Sequence, residues 1–107
     1  MKVKATILVV VLAGAIAITA ACAQNTATVE RGKTAFVEQG CYGCHMVGKF
    51  GTPIGPDLSR VGVRYDAAYL TRWLRNPSSQ RPAAHMPRLE LTESEIAALA
   101  AYLSSLR

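Results

Sequence analysis

Hydrophobic and polar positions follow one rule over the first 23 residues and another over the remaining 84. Residues 5–23 carry no charge and form a continuous apolar run, whereas from residue 24 onward apolar positions recur at helical spacing between polar ones. Three stretches keep that spacing. The first predicts a helix from Val29 to Glu38, capped by Thr28 and stopped at Gly40, with Ala35 and Phe36 on or near its buried face. The second predicts a helix from Ala67 to Arg75, capped by Asp66 and ended by Asn76-Pro77, with Tyr69, Leu70, Trp73 and Leu74 facing inward. The third opens on a capping box, Thr92-Glu93-Ser94-Glu95, and continues as an apolar stripe of Ile96, Leu99, Tyr102, Leu103 and Leu106. Two loops rich in Gly and Pro separate them, with no strand run and no internal repeat.

Gly32 falls inside the first helix, where glycine costs about 1 kcal/mol relative to alanine. Close approach by another element would offset that cost, and the last helix is the candidate partner.

The apolar run has the order of a targeting segment. Lys2 and Lys4 precede it, and Ala21-Cys22-Ala23 before Gln24 is an A-x-A cleavage site. Residues 1–23 are therefore expected to be a signal peptide and residues 24–107 the domain. Two alternatives stay open: lipidation at Cys22, and a retained membrane helix, since 19 uncharged residues approach the length of a span. All three put the domain outside the cytoplasmic membrane of a bacterium, either soluble in the periplasm after cleavage near Ala23 or anchored to the membrane's outer face. Cleavage would remove Cys22 and leave two cysteines. It would also lower the net charge from +5 to +3, with 10 Lys and Arg against 7 Asp and Glu. The arginines are scattered without interleaved aromatics, which argues against a nucleic-acid partner. Arg72 and Arg75 are candidates to steer an acidic partner.

Cys41-Tyr42-Gly43-Cys44-His45 carries the chemistry. C-x-x-C-H is the spacing at which two thiols capture the vinyl groups of one haem and the following imidazole reaches its iron. A zinc site would need two more ligands from Cys22, His85 and the carboxylates, and a redox dithiol would sit in a βαβ context. Covalent haem attachment through Cys41 and Cys44 is the reading that the spacing favours.

The far side of the iron decides the function, because one protein ligand leaves a site for gases or peroxide whereas two suit electron transfer. Met46 directly follows His45 and cannot reach the opposite face. Met86 lies 41 residues after His45 at the end of a long loop, with Pro87 biasing the segment toward an extended path. Met86 is thus the expected sixth ligand, with His85 as its competitor. In an extended segment the two should point to opposite sides. The Trp73 indole N–H needs an acceptor if buried, either a haem propionate or a backbone carbonyl.

Across residues 26–107 the chain resembles the small class I c-type cytochromes. Gly32-Lys33 with Phe36, Gly40 through His45, Gly55-Pro56-Asp57-Leu58, Tyr69-Leu70 with Trp73-Leu74, Asn76-Pro77, Met86-Pro87, and Leu91-Thr92 leading to Tyr102-Leu103 carry the resemblance. It implies an all-α cytochrome c fold, three main helices and loops wrapped around one haem c, with the N- and C-terminal helices crossing. It also implies that the Pro56 carbonyl accepts a hydrogen bond from His45, that Leu58 packs on the haem, and that Arg60, Arg64 and Trp73 are candidate propionate neighbours.

The leading expectation is a one-electron carrier, not an enzyme, with His45 and Met86 as iron ligands and redox proteins as donor and acceptor. The first alternative is a cytochrome subunit of a membrane oxidase or reductase, tethered through residues 5–23 or Cys22. The second is a haem peroxidase or gas sensor with an open sixth site, for which the chain offers few distal acid or base groups.

Overall fold

The computed structural model describes residues 25–107. The expected leader, its cleavage site and Cys22 lie outside the described residues, as does any anchor at 5–23. Among the described residues no helix is long and apolar enough to cross a membrane.

The first helix, α1, covers residues 25–38. It is already helical before Val29, so Thr28 is not its cap; instead the Thr28 hydroxyl accepts a hydrogen bond from Arg31 Nη2 at 3.2 Å. Asn25, Thr26 and Thr28 are all residues that can cap, and with Ala27 among them the local pattern does not single out one start. Its end matches expectation, the Gly40 amide donating to the Val37 carbonyl at 3.1 Å. A short 3-10 turn, Cys41–Gly43, follows, then a hairpin of β1 (Met46–Val47) and β2 (Phe50–Gly51), paired antiparallel in the register Met46 to Gly51 and Val47 to Phe50. Strands of two residues are too short to alternate visibly, so this ladder was not expected from the sequence.

Four further helices follow among the described residues: α2 (Val61–Arg64), α3 (Ala67–Arg75), α4 (Pro77–Gln80) and α5 (Glu93–Ser105). α3 and α5 begin as their sequences dictate. The Asp66 carboxylate accepts from the Tyr69 amide at 2.8 Å, and Thr92 and Glu95 cap each other reciprocally. Pro77 ends α3 and also starts α4, because at the first helical position its missing N–H costs nothing.

α1 and α5 cross at Gly32. A side chain there would run into the Ala98 carbonyl and come within 2.6 Å of Tyr102 Cβ, so only glycine admits the approach. Around the crossing lie Phe36, stacked edge-on against Tyr102 with centroids 5.7 Å apart, and Leu99, which is wholly inaccessible. Leu70 and Leu74 bring α3 onto the same core with Ile96 and Leu103. Tyr69 and Trp73 do not join them; they are half-buried and line a cavity instead. α2 fastens the end of α5, the Gly62 amide donating to the Leu106 carbonyl at 2.8 Å.

Candidate functional site

The core helices form one wall of a cavity of about 910 Å³. Ligand and cofactor sites run from about 300 to 1,000 Å³, so this one has room for a large, flat organic group. Leu58, Leu70, Leu74, Leu99 and Leu103 make its surface mainly apolar.

The segment 41–45 enters the cavity preformed. Backbone bonds from the Cys44 and His45 amides to the Cys41 carbonyl, at 3.2 and 3.0 Å, hold the turn. Both cysteines are unpaired and line the cavity; Cys41 is half-buried, and burial pushes its thiol pKa up, while Cys44 is exposed. His45 lies 2.7 Å through Nδ1 from the Pro56 carbonyl oxygen. A carbonyl only accepts, so Nδ1 is the donor, and in the neutral ring that tautomer leaves the lone pair on Nε2. Gly55 makes this contact feasible: a Cβ there would stand 2.7 Å from His45 Cε1. The loop that supplies Pro56 is itself braced, with the Leu58 amide donating to the Met46 carbonyl at 2.9 Å and the Ser59 amide to Asp57 at 2.8 Å. Hydrogen bonds from Ser59 hold the Asp57 carboxyl below its ordinary pKa.

Across the cavity, Met86 projects from the segment between α4 and α5. Met86 and His85 both line the cavity, as do Pro56, Leu58 and Trp73, whereas Met46 sits in the hairpin and does not. Residues 81–92 form no strand, yet the two neighbours differ as alternation would have them, Met86 half-buried and His85 exposed at the cavity's edge. Trp73 donates its indole N–H to the Met86 sulfur, Nε1 to Sδ 3.1 Å. That acceptor is neither of the two expected from sequence. Tyr65 and Tyr69 complete the same wall, stacked at 4.4 Å between centroids, with Trp73 next in line at 6.4 Å from Tyr69. Tyr69 and Trp73 stand at i and i+4 on α3, a pairing readable in the sequence, whereas Tyr65 precedes the helix and joins the row only through the fold. Arg81, also unforeseen, lines the cavity with Arg60 and Arg64. Arg75 is not a free steering charge, since Glu93 holds it through Nε at 3.1 Å and Nη2 at 2.6 Å. Among the described residues no cluster of three His, Cys, Asp or Glu is arranged to hold a metal ion.

The cytochrome c family model matches residues 29–107, and the chain belongs to that family. Its fold is the all-α cytochrome c fold, and membership implies haem-based electron transfer by a domain of a kind generally found outside the cytoplasm. The chain is 37% identical over 86 residues to cytochrome c oxidase subunit 2 of Alkalihalophilus pseudofirmus, an alignment covering 72% of this chain. It spans only 25% of that relative's length. It also resembles the crystal structure of the c-type cytochrome SorU from Sinorhizobium meliloti, with a TM-score of 0.60 and 25% identity, over 76% of this chain and 92% of that one. The residues present suit the family's cofactor: a paired thiol motif, an imidazole with a free Nε2, a thioether on another segment, and a large apolar cavity among them.

Proposed function

We propose that this chain carries single electrons on one haem c, which Cys41 and Cys44 would bind through thioethers and whose iron His45 and Met86 would ligate. The observation that carries the reading is that His45 and Met86, 41 residues apart in sequence, line one cavity, with His45 locked by Pro56 in the tautomer that leaves Nε2 free to bind a metal. Bound haem supplies a one-electron iron couple. The chain's own residues orient the imidazole, exclude water with Leu58 and the leucines of α3 and α5, and place a thioether that favours the ferrous state.

Visible spectra of the matured holoprotein, oxidised and reduced, with and without carbon monoxide, test it. A low-spin spectrum with a sulfur-to-iron charge-transfer band, indifferent to carbon monoxide, is expected, and Met86→Ala should abolish the band and open the site. Ready carbon monoxide binding by the unmodified protein would reject Met86 ligation and favour the peroxidase or gas-sensor reading.

We further infer that residues 1–23 are an export signal removed before Gln24. The likeness to an oxidase subunit supports a second reading, a cytochrome unit serving a membrane oxidase and tethered through residues 5–23 or Cys22. The mass of the mature protein separates them: a chain starting at Gln24 supports export, added lipid supports Cys22, and an intact N-terminus supports a helix.

A further inference from the structure

We propose that Trp73 is a positioning residue that selects Met86 over His85 as the sixth ligand. The inference rests on the reading of Met86 as a ligand and asks what makes that choice.

His85 and Met86 are neighbours on one segment and both border the cavity, Met86 half-buried and His85 exposed, and imidazole is at least as capable an iron ligand as a thioether. Backbone regularity does not choose between them. From residue 82 to 91 the only backbone hydrogen bonds are short-range ones, Ala84 to Arg81 and Leu91 to Leu89, and neither reaches another element of the fold. Among the described residues, the bond from Trp73 to Met86 is the single hydrogen bond tying this stretch to a helix. Trp73 is in turn fixed by α3, whose Leu70 and Leu74 are buried in the core. The indole therefore holds one particular atom of a loosely bonded segment at the cavity wall, and that atom is the sulfur.

A thioether sulfur has two lone pairs, so accepting one N–H leaves the other for a metal. Donation from Trp73 also draws electron density from the sulfur and weakens its support of ferric iron. Removing the donor and admitting His85 thus act in the same direction, both favouring the ferric state.

The test uses the holoprotein and its variants Trp73→Phe, Trp73→Tyr and Trp73→Phe/His85→Ala. Trp73→Phe is expected to lose most of the sulfur-to-iron band and to lower the ferrous-to-ferric ratio at fixed ambient potential on the order of fivefold. Trp73→Tyr, which keeps a donor on an aromatic ring, should retain the band, and deleting His85 alongside Trp73→Phe should restore it. An unchanged band and ratio in Trp73→Phe overturns the proposal, as does a band still missing from the double variant. Trp73 is the sole tryptophan, so its indole proton is one unambiguous resonance in the unmodified protein. Slow exchange of that proton with solvent is expected, and fast exchange rejects the hydrogen bond without reference to any variant that fails to fold. A wild-type band in Met86→Ala would instead defeat the underlying ligand assignment.

Discussion

Gly32 of α1 rests directly on the backbone of Ala98 in α5, and this contact lets the two helices cross with Phe36 and Leu99 sealed beneath them. Gly32→Ala gains about 1 kcal/mol of helix propensity but forces a methyl group into the backbone carbonyl of Ala98. Overpacking of this kind costs about 1–3 kcal/mol, and a backbone collision belongs at the upper end, so a net loss of about 2 kcal/mol is expected. Chemical denaturation of the holoprotein would show it as a lower midpoint at unchanged slope. An equal or higher midpoint would mean the crossing is looser than described.

Gly55 and Pro56 bear on His45 in different ways, and substitution separates them. Pro56→Ala keeps the carbonyl that accepts from Nδ1, so its spectrum should match the unmodified protein. Gly55→Ala places a methyl group against the imidazole ring and should displace it, at an overpacking cost of about 2 kcal/mol. The fraction of purified protein carrying haem, read from the ratio of visible to ultraviolet absorbance, should fall for Gly55→Ala alone. Equal loss in both variants would assign the effect to the loop as a whole.

α3 and α5 were legible because each carries its own start signal and more than one turn of apolar period. Asp66 caps α3 and the Thr92–Glu95 box opens α5 where the pattern put them. The hairpin, α2 and α4 were not, since two to four residues supply no period to read. The start of α1 was misplaced because several cap-competent residues stand in a row. At the site, the C-x-x-C-H residues are contiguous and could be read directly, and Met86 stood out as a thioether free to reach the far side. What escaped was tertiary: the acceptor of Trp73 lies 13 residues away on an irregular segment, and the cavity arginine Arg81 belongs to no motif.

Arg72 and Arg75 looked equivalent as steering charges until the fold paired one of them. Glu93 neutralises Arg75 in a two-point contact, while Arg72 lies over the Tyr69 ring, 5.9 Å from its centroid, with no carboxylate partner among the described residues. With an acidic electron acceptor at low salt, Arg72→Gln should slow association more than Arg75→Gln, and the gap should close as salt rises. Stopped-flow rates at several ionic strengths provide the comparison. A larger loss for Arg75→Gln would show that the pair with Glu93 opens when a partner approaches.

Acid should loosen the fold first where α5 begins. Glu95 is held below its ordinary pKa of 4.5 by hydrogen bonds from the Thr92 amide and hydroxyl, and Glu93 is held below 4.5 by the hydrogen bonds from Arg75. Both carboxyls titrate lower in the folded chain than in the unfolded one. The stability they contribute is therefore complete above pH 4.5 and is lost as pH falls through their depressed folded values. Thr92→Ala removes both the cap and the donor hydroxyl, so it should cost about 1 kcal/mol at neutral pH. It should also make the decline below pH 4.5 shallower, because less of the carboxylate's advantage remains to be lost. Denaturation midpoints of the two proteins from pH 3 to pH 7 on the order of one-unit steps test both statements, since the linkage slope follows the protons taken up. Parallel curves across that range would mean the Thr92–Glu95 box does not set the acid limit of this fold.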